Sequence, residues 1–107
     1  MLEVLAYTDN RGRSPFAIWM NGLTPPVRRR IQQILGRMEQ GNLGDVHGVG
    51  DGVNERRADF GPGYRIYFAW DGPTLIILLG GGDKSSQSRD ITSAKRRWQN
   101  YQSRAGG

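Results

Sequence analysis

Four side chains in the second half of the chain have the types and spacing that handling a phosphodiester requires: Arg57, Arg65, Tyr67 and Lys84. A guanidinium fork pairs with two phosphate oxygens at once, and a tyrosine ring stacks on a base or passes a proton. Alternate side chains of a strand share a face, so Tyr64, Ile66, Phe68 and Trp70 fall on one side, with Arg65, Tyr67 and Asp71 on the other. With Gly61-Pro62-Gly63 as a three-residue hairpin loop, Arg57 lies opposite Tyr67 and Asp59 opposite Arg65. That register gathers Glu55, Arg57, Asp59, Arg65 and Tyr67 on one polar, open face, whereas a one-residue slip would mix the faces. A ladder in which Glu55 and Asp59 merely neutralise the arginines is an equal reading of the same spacing. Lys84 tips the balance toward phosphate, because it leaves a strand end behind the flexible run Gly80-Gly81-Gly82 and can reach that face. The run lacks Walker spacing, so a backbone phosphate cradle there is a weak signal.

Composition narrows what such a face can serve. The 107 residues suffice for one domain, spanning 1–107, with a frayed tail from about residue 104. There is no cysteine, which removes disulfides, thiolate zinc sites and thiol nucleophiles and agrees with a reducing cytoplasm. The one histidine, His47, makes a histidine-based metal site unexpected, and it reads as a surface residue; no cofactor is implied. The longest apolar run, Leu75 to Leu79, is far shorter than the roughly 20 residues of a membrane span. Met1-Leu2-Glu3 does not open like a secretory signal, so the expectation is a cytoplasmic protein with no membrane partner. The net charge of +5 is distributed as +3 over residues 1–40, −3 over 41–83 and +5 over 84–107. A solvated surface and nucleic-acid binding are both compatible with that balance.

The elements that must position these residues follow from pattern. Leu2, Val4 and Ala6 alternate with Glu3, Leu5 and Tyr7 as a first strand. Ser14-Pro15 opens a short helix with Phe16, Trp19, Met20 and Leu23 on one stripe. Thr24-Pro25 opens a second, in which Val27, Ile31, Ile34, Leu35 and Met38 face inward and the helix stops at Gly41. The two form an αα-hairpin over one sheet. Asn42 to Gly52 is glycine-rich without a period and reads as a loop. A three-stranded meander follows, at about Val53 to Phe60, Tyr64 to Asp71 and Thr74 to Leu79, and the last of these, apolar at every position, is expected at the centre. A final helix from about Ser88 carries Ile91, Ala94, Trp98 and Tyr101 inward, with Lys95, Arg96 and Arg97 outward. Trp19 and Trp98 belong to the core, Arg56 is expected near a sheet edge, and Asp83 or Asp90 has a capping role. The predicted class is α+β, β-α-α-β-β-β-α, with an antiparallel-rich sheet.

This order is joined to specific words: Phe16-x-x-Trp19, Gly41-Asn42-Leu43-Gly44-Asp45, Asn54-Glu55-Arg56-Arg57, Gly61-Pro62-Gly63-Tyr64-Arg65-Ile66-Tyr67-Phe68 and Gly81-Gly82-Asp83-Lys84-Ser85-Ser86-Gln87-x-x-Asp90-Ile91. Together they resemble the addiction-module killer branch of the RelE/ParE toxin superfamily, close to HigB-type toxins, from about Tyr7 to Tyr101. The resemblance implies a RelE-like fold and a bacterial or phage-borne toxin silenced by a cognate antitoxin, commonly a helix-turn-helix DNA-binding protein. It implies mRNA cleavage on the translating ribosome. The family's basic sheet residues fall on Arg57, Arg65 and Lys84, with Tyr67 as an aromatic neighbour. Two departures are visible: the usual Glu-Leu-Arg word reads Glu55-Arg56-Arg57, and the histidines that some HigB-type toxins place at the active site are absent.

The implied chemistry is metal-independent transesterification, in which the RNA 2′-hydroxyl attacks its own neighbouring phosphate. Arg57 and Arg65 are assigned to the phosphate and Lys84 or Tyr67 to proton transfer. Arg28, Arg29 and Arg37 on the second helix and Lys95, Arg96 and Arg97 on the last are assigned to RNA and ribosome docking. A ParE-type toxin that poisons DNA gyrase without cutting RNA is the alternative, and an inactive RNA- or antitoxin-binding remnant a third reading.

Overall fold

The computed structural model describes residues 1–106. Strand β1 (Glu3–Ala6) leads through a loop into helix α1 (Pro15–Asn21) and helix α2 (Pro25–Glu39). Ser14 caps α1, its hydroxyl accepting from the Ala17 amide at 3.1 Å. Thr24 makes no such bond, and α2 starts on the fixed φ of its prolines instead. Strands β2 (Val46–Gly50), β3 (Val53–Arg57), β4 (Arg65–Asp71) and β5 (Leu75–Gly82) follow, then a 3-10 turn at Lys84–Ser86 and helix α3 (Gln87–Gly106). The last helix thus continues where a frayed tail from about residue 104 is predicted; Gly107 lies outside the described residues.

The sheet is mixed, in the order β1-β5-β4-β3-β2, with β1 parallel to β5 and every other pair antiparallel. Two predictions are corrected here. The stretch 42–52 is not all loop: its second half is an edge strand, turned into β3 by Asp51 and Gly52 at φ of 58° and 83°. These are the left-handed conformations that a two-residue hairpin turn needs. The central strand is β4 rather than β5, because β2 adds one more strand on the far side.

Both faces of the sheet are covered. On one, Phe16, Met20, Ile31, Ile34 and Met38 from α1 and α2 pack on Ile66, Phe68, Ile76 and Leu78. On the other, Ala94 and Trp98 of α3 pack with Tyr7 on Tyr67, Ala69, Ile77 and Leu79. The polar face predicted to be open therefore lies partly beneath α3, whose apolar stripe needs a sheet to bury it.

The glycine run is also not a flexible tether. It extends β5 to Gly82, because two helices come too close for side chains: a Cβ on Gly81 would stand 2.2 Å from the Trp19 ring, and one on Gly82 would stand 1.9 Å from Asp90 Oδ2. Among the described residues, no helix is long and apolar enough to cross a membrane.

Candidate active site

The site grows from the β3–β4 hairpin. β3 ends at Arg57, and the Ala58 amide donates to Tyr64 O at 2.9 Å, so Asp59 and Phe60 belong to the turn together with Gly61-Pro62-Gly63. Arg57 consequently pairs with Arg65, and Glu55 with Tyr67. This is two residues from the predicted register, and a slip of two keeps every side chain on its face. Asp59 leaves the strand and is exposed. Two arginines directly opposite each other repel, and the residue that reconciles them is Glu55.

Glu55 is fully buried, and all its hydrogen-bonding neighbours are donors. Arg57 Nε reaches Oε1 at 2.7 Å, Arg65 Nε stands 3.5 Å from the same oxygen, and Gln87 Nε2 donates to Oε2 at 2.8 Å. Burial pushes the carboxyl up, but the bonds from Arg57 and Gln87 and the charges of Arg65 and Arg57 outweigh it, so its pKa lies below the ordinary glutamate value. The bond to Glu55 in turn raises Arg57. The two guanidiniums differ in access: the Arg57 side chain is 43% exposed and that of Arg65 only 9%. Arg65 is also tied to its own turn, Nη1 donating to Gly63 O at 2.9 Å. Arg57, Arg65 and Gly63 line a cleft of about 540 Å³ whose wall includes Arg37, Asp45 and Arg56.

Lys84 is exposed beside this hairpin, its amide donating to Pro62 O at 3.4 Å. Asp83 caps the turn it opens, accepting from the Ser85 amide at 2.8 Å. Tyr67 stands apart from the solvent: its ring is in the α3-side core, and its buried hydroxyl has no hydrogen-bond partner among the described residues. Burial, then the charges of Glu55 and Asp90, push that hydroxyl far above its usual range, so it stays protonated. Arg56 is not at an edge, since β2 pairs outside it; it faces α2 with its guanidinium against Gly44 and bonded to Arg57 O.

The docking arginines separate into two groups. Arg29, Arg37 and Arg96 are exposed. Arg28 instead holds the end of α1, donating to Met20 O at 3.1 Å and Leu23 O at 3.0 Å. Arg97 donates to Leu79 O at 2.9 Å, and Lys95 stands 3.8 Å from Asp51. Gln87 and Asp45 are the site residues that sequence reasoning did not single out; Glu55 stands where the charge-ladder reading put it, beside the two arginines. Glu55 carries a signal, an acid two residues from Arg57 on the same strand face, whereas Gln87 and Asp45 arrive from remote elements. Among the described residues, no three His, Asp or Glu side chains gather as a metal site would require.

No family model matches the chain. It is 42% identical over 81 residues to an uncharacterized protein of Haemophilus influenzae, an alignment that covers 75% of this chain and 82% of that one. At that identity and coverage, the chain belongs to the same family as the Haemophilus influenzae protein.

Proposed function

We propose that this chain is a RelE-like toxin of a toxin–antitoxin pair that cleaves mRNA by metal-independent transesterification on the ribosome in the cytoplasm. The observation that carries the reading is the pair of opposed guanidiniums, Arg57 and Arg65, clamped by the buried Glu55 at the wall of a cleft. Cations held in place before substrate arrives stabilise the crowded phosphorane without reorganising. Arg57, half exposed, meets the phosphate directly; Arg65, nearly enclosed, supplies charge from below. Lys84 at the turn gives a proton to the departing 5′-oxygen. Tyr67, buried, shapes the floor beneath the arginines and takes no proton from the substrate. Arg29, Arg37 and Arg96 attract the phosphates of ribosomal RNA, and a helix-turn-helix antitoxin keeps the toxin silent.

Induction in a bacterial host, with transcript 5′ ends mapped alongside a DNA-damage reporter, tests this reading. New 5′ ends inside coding sequences and relief of growth arrest by the product of an adjacent antitoxin gene are expected. Growth arrest with a damage response and intact transcripts would overturn it in favour of gyrase poisoning.

A further inference from the structure

None of the residues given a role above takes the 2′-hydroxyl proton. Arginine remains protonated, Tyr67 is out of reach, and Lys84 is used at the leaving oxygen. His47, the single histidine, is placed for that task by β2, the strand absent from the sequence-based prediction. It is the ladder partner of Glu55, so its side chain shares the face of the arginine clamp, and opposed residues in such a ladder stand about 4.5–5.5 Å apart at Cα. Its Nε2 is 2.8 Å from Asp45 Oδ1. The carbonyl of the same Asp45 accepts from the Arg57 amide at 3.0 Å, and Asp45 lines the cleft with both clamp arginines. The His47 side chain is 44% exposed, and it reaches the cleft through Asp45 rather than lining the wall itself.

We propose that His47, oriented by Asp45, is the general base of the RNA cleavage; the inference rests on the nuclease reading above. The carboxylate fixes the tautomer with hydrogen on Nε2, which leaves the Nδ1 lone pair free. Nδ1 takes the 2′-hydroxyl proton as the O2′–P bond forms. The P–O5′ bond breaks, and the O5′ leaves with a proton from the Lys84 ammonium. The products are a 2′,3′-cyclic phosphate and a 5′-hydroxyl end, after which His47 releases its proton to water and Lys84 regains one. The charges around the ring are Asp45 on its own segment and Glu55 and Arg57 from β3, with Lys95 of α3 paired to Asp51 beyond the strand's far end.

The test is single-turnover cleavage on programmed ribosomes by the parent, His47→Ala and Asp45→Asn, across pH 5 to 8, where imidazoles titrate, with and without added imidazole. His47→Ala should lose about 10²- to 10⁴-fold in rate. It should lose the rise of rate with pH that a base produces, and recover part of its activity in imidazole, while melting like the parent. Asp45→Asn should lose less. A parental rate and pH profile in His47→Ala would overturn the proposal, as would a loss that imidazole does not rescue and that leaves the pH profile intact. A parent that leaves the message uncut would instead overturn the nuclease reading itself, so the two failures are distinct.

Discussion

Replacing Glu55 by glutamine removes a buried charge while keeping the side chain's shape. In the parent, Oε1 faces the nitrogens of Arg57 and Arg65 and Oε2 faces that of Gln87, so either placement of the new amide nitrogen meets a donor. Removing one member of a buried ion pair costs roughly 3–5 kcal/mol. The figure is reduced here, because the Arg57 side chain is 43% exposed and water can replace its partner. The remaining loss falls on Arg65 and should be about 2–3 kcal/mol, a drop in melting temperature of roughly 10–20 °C for a domain of this size. The sign with pH is fixed by linkage. Glu55 titrates below its ordinary value of 4.5 in the folded protein, so the unfolded chain binds more protons in acid and the contribution grows with pH. It is fully present above 4.5 and fades as the pH falls through the lowered folded value. Urea denaturation of parent and Glu55→Gln should differ at pH 7 and converge in acid, where a protonated Glu55 resembles the amide. Equal midpoints at pH 7, or a gap that persists unchanged in acid, would refute the clamp.

Arg57→Ala and Arg65→Ala should both lose cleavage and both lower the melting temperature, since each takes a cation from the fully buried Glu55, the second more because its own side chain is only 9% exposed, as paired melting and single-turnover assays would show. Lys84→Ala, at an exposed turn, should melt like the parent yet cleave more slowly in the turnover step rather than in substrate binding, separable by titrating the substrate. Gly81→Ala drives a methyl into the Trp19 ring and should cost about 1–3 kcal/mol or more, readable by calorimetry. A triple Arg29, Arg37 and Arg96 to Gln variant should flatten the salt dependence of ribosome binding, whereas Arg28→Ala should chiefly loosen α1, readable by hydrogen exchange.

Much of this frame was legible because local rules and tertiary structure agree. The prolines at 15 and 25 mark both helix starts, and the apolar stripes of α2 and α3 are the faces that pack. The polar face of the hairpin was readable even with the register wrong by two, since a strand has period two. β2 was not legible from apolar alternation: its two valines, Val46 and Val49, stand three apart and pack on opposite faces of the sheet, a bulge interrupts the ladder between Gly48 and Gly50, and only the Asp51-Gly52 turn signalled a hairpin. That omission also hid the position of His47. The glycine run reads as a tether in sequence, since nothing local reveals that Trp19 and Asp90 come from elsewhere to lie on it. The burial of Tyr67 and Arg65 was hidden for a related reason, because what covers a sheet face is decided by elements remote in the chain.

The parallel pairing of β1 has a consequence for the order in which the molecule can be assembled. Glu3 finds its ladder partner at Leu75, and its amide bonds to Thr74 O at 2.8 Å, so the first strand made has no place in the sheet until the last one exists. During synthesis the hairpin of β2, β3 and β4 can pair locally, but β5, which joins it to β1, must emerge first. Closing so long a loop is entropically slow compared with local pairing. A nascent chain arrested before Leu75 therefore exposes an unpaired β4 edge and an unpaired β1, and carries the arginine clamp without Gln87 or the helix that buries its floor.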